Sequence, residues 1–118
     1  VLDNRDLDGT IGVAERCLEL GCPWGACLIG GVALEEGLRQ LCVEHGIDEP
    51  NGQGSLRAPA LNEKLSEASV DAVDKVSIAA WAELIEVSKS MDSTTATPDV
   101  VAPMLKAIRS WLAAHPAA

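Results

Sequence analysis

The 118 residues include no phenylalanine and no tyrosine, and tryptophan occurs three times. Platforms that bind single-stranded nucleic acid depend on exposed aromatic rings, so that mode of recognition is nearly excluded. Trp24, Trp81 and Trp111 are expected to fill core or interface volume instead. Basic residues are equally scarce: nine against eighteen acidic ones, for a net charge of −9, with no run of lysine or arginine. An acidic surface repels phosphate backbones, which disfavours nucleic acid as a partner. Histidine occurs twice, at 45 and 115, and no spacing ties either one to a nucleophile. The four cysteines stand at 17, 22, 27 and 42. Spacings of five among the first three fit neither a redox pair nor a zinc knuckle. Cys42 and His45 would need two further ligands from elsewhere, so no metal and no cofactor is expected, and buried reduced thiols are. No apolar run spans a bilayer, and the longest, around Cys27 to Leu34, is broken by Gly30 and Gly31. With no charged-then-apolar leader in the opening residues, the expected compartment is the cytoplasm.

What is present is a chain with 47% hydrophobic residues, enough for one core and one domain over residues 1–118. Residues 1–8 read as a polar lead-in. A first helix is expected over Asp8 to Leu20, with Ile11, Ala14, Cys17 and Leu18 inward. Gly21 suits its end and Pro23 the first turn of the next helix. That second helix runs to about Glu44 and is closed by Gly46. Its inner stripe is Cys27, Gly31, Leu34, Leu38 and Leu41, stepping by four and three. Residues 47–58, with Pro50, Gly52 and Gly54, read as a loop. A short helix follows from Pro59 to Ala68.

The next helix is expected to begin near Asp71, in its first turn, and to end near Ser90. It carries the strongest pattern in the chain, Val73, Val76, Ala80, Leu84, Val87 and Met91, broadened by Ile78, Trp81 and Ile85. A polar turn over DSTTAT leads to Thr97-Pro98-Asp99, an N-cap with proline at the first helical position. Pro103 either starts the last helix or kinks it. Leu105, Ile108, Trp111 and Leu112 form its buried stripe. No segment alternates with period two. The expected fold is all-α: an antiparallel up-and-down bundle of four main helices plus one short extra helix.

A second row on the long helix contains charge: Leu28, Val32, Glu35, Arg39, Cys42. Glu35 and Arg39 stand at i and i+4, the spacing and order of a helical ion pair, and their row makes them candidates to line a groove or a dimer seam. Glu36 is expected to point further round, into solvent. In the third main helix Glu83, Glu86 and Lys89 read as a solvated face. Trp24 and the Gly30-Gly31 pair are candidate interface residues; the small glycines let another helix approach closely, within the chain or across a dimer.

Five segments, in order, carry a family resemblance: AERCLELG, GGVALEEGLRQLCVEHGI, LNEKL, IAAWAELI and TPDVVAPMLKAIRSWLA. Together they cover the chain from about Ala14 to its end. The chain resembles the HEPN-like helical domains of bacteria, especially an uncharacterised group within them. The resemblance implies a four- to five-helix bundle, usually dimeric. It also implies, for the catalytic members, metal-free RNA cleavage by an arginine followed a few residues later by a histidine, at the end of the third main helix. An acidic residue of the second helix often supports that site, where Glu35 and Glu36 stand here. This chain departs at the decisive point: Ile85-Glu86-Val87-Ser88-Lys89-Ser90-Met91 holds neither arginine nor histidine. A lysine does not reproduce the arginine fork.

The function expected from this reading is a non-catalytic interaction module. It would form a homodimer or hold a protein partner, in a setting of bacterial defence or mobile elements that the resemblance suggests. The alternatives are a diverged phosphate- or RNA-directed site built from Glu35, Arg39 and Lys89, and a small-ligand site in a cleft between helices.

Overall fold

A computed structural model describes residues 4–47, 57–70, 72–91 and 94–115, with side chains from residue 9 onward and for all these but 57. The chain is an all-α helical bundle, with five helices and no strand among the described residues: α1 Asn4–Glu19, α2 Pro23–Glu44, α3 Arg57–Glu67, α4 Lys75–Ser88 and α5 Pro98–Ala114. Most of the expected loop, residues 48–56, lies outside the described residues, as does Asp71. No described helix is long and apolar enough to cross a membrane.

The punctuation of α2 follows the sequence. Pro23 occupies its first turn, and Gly46 adopts φ +67 just beyond its end. Ile47 N–H then bonds the Cys42 carbonyl at 2.9 Å and Gly46 N–H that of Val43 at 3.1 Å. This is the paired closure a left-handed residue permits. α1 ends the same way at Gly21, φ +86. Its start differs from expectation: the helix begins at Asn4, so part of the polar lead-in is helical.

α2 is the hub and packs against each of the other four helices. Its expected stripe is buried from Cys27 to Leu41. Three glycines set the closeness of its contacts. A methyl at Gly30 or Gly37 would lie 2.5 Å from a methyl of Leu105 or Leu112 on α5. One at Gly31 would lie 2.7 Å from Ile85 Cδ1 on α4. Gly30 and Gly31 are therefore buried seats for helices of the same chain. Of the two packings the sequence leaves open for this pair, within the chain or across a dimer, these contacts are within the chain. Trp24, Trp81 and Trp111 are half-buried against the core, as their type predicts.

α4 departs most from the sequence reading. It begins at Lys75, capped by Asp74, whose carboxylate accepts from the N–H groups of Val76 and Ser77 at 3.0 and 3.1 Å. Its buried face is Ile78, Ala82, Ile85 and Ser88. The stripe expected inside is only partly so: Val73 and Leu84 are buried and Val87 half-buried, but Ala80 is exposed, Met91 66% exposed and Val76 81% exposed. Ser88 can be fully buried because its hydroxyl donates to the Leu84 carbonyl at 2.8 Å, which removes the cost of an unpaired polar group. α5 is one continuous helix with Pro103 inside it, neither starting there nor divided.

Candidate functional site

Among the described residues, concave sites occur where α4 meets its neighbours, and two of them bear on function. The larger is an open trough of about 480 Å³ between α4 and α5. α4 and α5 barely touch each other, although both rest on α2. Leu84 and Met104 form the floor, both buried. Ser77, Ala80, Trp81 and Val87 rise from α4, and Val100, Pro103 and Ala107 from α5. Among the described residues its one charged lining residue is Glu83. Ala80 and Val87 of the expected α4 stripe belong to one wall of this trough, and Val76, a turn before Ala80, extends the apolar surface outside it. On α5, Val100 is 47% exposed.

Beneath the floor lies a small polar and sulfur cluster. The Cys27 thiol approaches Met104 Sδ at 3.8 Å, and the Ser88 side chain lies beside it. Burial pushes the Cys27 thiol above its ordinary value, and the Ser88 contact only partly offsets this. The thiol therefore stays protonated and a poor nucleophile. Cys42 is buried too, while Cys17 and Cys22 are half-buried, and all four are free thiols. No cluster of metal-binding side chains occurs among the described residues.

The smaller site, about 190 Å³, lies between α2, α3 and α4 and is lined by Leu28, Gly31, Val32, Glu35, Ala58, Ile85 and Lys89. It brings together two of the three polar residues singled out in the sequence. Arg39 does not line it. The arginine pairs with Glu36, donating from Nε to Oε2 at 3.1 Å and from Nη2 to Oε1. Both side chains of this pair are only about one-fifth exposed, at 22% and 21%, which corrects the placing of Glu36 in solvent. Lys89 Nζ donates to Glu86 Oε2 at 3.1 Å. Glu35 and Lys89 thus share a cleft with an otherwise apolar lining, an arrangement able to meet a small polar group but holding neither an arginine fork nor a histidine.

The trough residues of α5 escaped the sequence reading. Val100, Pro103 and Ala107 recur at steps of three and four, and that row was the available signal. It was masked by the stronger stripe of Leu105, Ile108 and Leu112 on the buried face.

No family model matches the chain, and no curated protein or solved structure does.

Proposed function

We propose that the chain is a non-catalytic helical interaction module that binds through the α4–α5 trough. One observation carries this reading: the strongest apolar stripe in the sequence is only partly used by the fold, and Ala80 and Val87 of that stripe line an open trough. Small-molecule sites bury most of their ligand within concave walls, whereas a trough between two helices suits a surface-burying partner such as a helix. The resemblance to HEPN-like domains supports the same reading, because the segment that would hold their arginine and histidine carries Ser88 and Lys89. Self-association, which the resemblance implies, and capture of another protein in a defence or mobile-element setting are two forms of this function.

Light scattering over a tenfold concentration range tests the first form. A dimer that Ala80→Gln and Val76→Asp both dissociate identifies the trough as the seam. A dimer that survives both substitutions places the seam elsewhere and rejects the reading. A monomer removes self-association and leaves a different protein as the partner.

The shared lining of Glu35 and Lys89 favours a second reading, a diverged site for a small phosphate-bearing ligand. A nucleotide thermal-shift response that Lys89→Ala removes and added salt weakens would support it. No response to any nucleotide would dismiss it.

A further inference from the structure

We infer that the occupant of the α4–α5 trough is the apolar face of a basic amphipathic helix from another protein, with Glu83 meeting one of its cations. The inference rests on the interaction-module reading and names the chemistry of the partner.

The dimensions fit a helix. Along α4 the lining runs from Ser77 to Val87, about 15 Å at the rise of a helix. That length holds the anchors of helix-in-groove recognition, which fall at i, i+3 or i+4, and i+7. Ala80 on one wall and Ala107 on the other are small, so a docked backbone can come close to the floor. The floor itself, Leu84 and Met104, offers no polar group to a partner except through the rim.

Charge chooses among helices. Among the described residues Glu83 has no ion-pair partner, and it alone of them carries charge into the trough. The cations of α4 are already engaged: Lys75 with Glu63 at 3.5 Å and Lys89 with Glu86 at 3.1 Å. Lys106 on α5 does not line the trough. A second copy of the chain would bring another −9 of charge and a second Glu83, with no spare cation on α4 to meet either. A basic helix meets Glu83 directly and is drawn in by the overall field.

The test is calorimetric titration of the intact protein with a synthetic amphipathic helix of leucine, alanine and lysine, and with its twin carrying glutamate for every lysine. Titrations run at physiological salt, where distant charges are screened. Ala80→Gln narrows the trough without changing charge. Glu83→Lys reverses the lining charge, and Glu19→Lys makes the same change of charge on exposed α1, away from the trough. Thermal unfolding confirms that each variant is folded.

The expected result is one lysine peptide bound per chain, at least about tenfold tighter than the glutamate twin. Ala80→Gln and Glu83→Lys should each weaken it by about fivefold or more, and Glu19→Lys by less than about twofold. Equal losses from Glu19→Lys and Glu83→Lys would reduce the attraction to net charge and overturn the inference. Loss with Ala80→Gln but not with Glu83→Lys would keep the trough as a docking site and reject the basic partner. Insensitivity to both trough substitutions would reject the interaction-module reading as well. A wild-type dimer that Ala80→Gln dissociates would make the occupant a second copy and overturn the inference.

Discussion

Replacing Gly31 with alanine sets two known effects against each other. Inside an exposed helix, glycine to alanine is favourable by roughly 1 kcal/mol, because alanine has less backbone freedom to lose. At Gly31 the new methyl would stand 2.7 Å from Ile85 Cδ1 and 3.1 Å from Ile85 Cγ1. Ile85 is 6% exposed and branched at Cβ, so its χ1 has little freedom to move Cγ1 aside. Forcing a methyl group into a packed core costs about 1–3 kcal/mol. The net expectation is a loss between about zero and 2 kcal/mol, measured as a shift of the urea midpoint with the slope unchanged. Ile85→Val removes the nearest methyl and by itself should cost about 0.5–1.5 kcal/mol. The double variant should be more stable than the two single effects summed, with a coupling of about 1 kcal/mol or more. Gly9→Ala is the reference: a Cβ there meets no atom within 4 Å, so it should stabilise the chain. If Gly31→Ala stabilised as much as Gly9→Ala, or if the double variant were additive, the glycine would not be the seat for α4.

Other expectations concern the elements around the trough. Asn62 is buried and clamps Val73, donating from Nδ2 to its carbonyl at 2.7 Å and accepting its N–H at 2.8 Å. Asn62→Ala should cost about 2–4 kcal/mol in chemical unfolding; a loss under half of that would show that water replaces the clamp. The Asp74 carboxylate is held below its ordinary value, first by the Ser77 side chain and then by backbone N–H bonds. Its contribution is therefore complete above the ordinary range near 4 and fades as pH falls through the lowered folded value. Wild type should melt above Asp74→Ala at neutral pH and approach it in acid, whereas a constant gap would exclude the ionised cap as the cause. With a thiol reagent under native conditions, Cys17 and Cys22 should label first, and Cys27 and Cys42 only on unfolding. Rapid labelling of all four would contradict the packed core.

Which parts of this fold could be read in the sequence depended on the local signal. Pro23 and Gly46 mark the ends of α2 by backbone chemistry that no tertiary contact alters, and its inner stripe was equally clear. In α4 two apolar rows overlap, and periodicity reports that rows exist but not which one faces the core. Ser88 made the true inner row look less apolar than the row through Val76 and Ala80. The cap at Asp74 was hidden by Asp71, since both precede the same helix. Glu35 and Arg39 have ideal spacing for a pair, and Glu36 also sits within reach of the same guanidinium at i, i+3, which the i, i+4 pattern alone does not reveal. Gly30 and Gly31 signalled close approach correctly, but whether the approaching helix belongs to the same chain is a tertiary fact. The trough required both helices in place and so was invisible until α5 was set beside α4.

The unequal sharing of neighbours has a consequence for motion. α2 touches every other helix, so its amides should exchange with solvent only when the whole chain unfolds. α4 rests chiefly on α2 and α3 and scarcely on α5, which makes it the helix that can lift away while the rest stays folded. Such an opening would uncover the Cys27 thiol beneath Ser88 and, in the same step, dissolve the wall that bears Ala80 and Val87. A partner seated in the trough would then act as a brake on that opening, lengthening the exchange lifetimes of α4 while leaving those of α2 near the global limit.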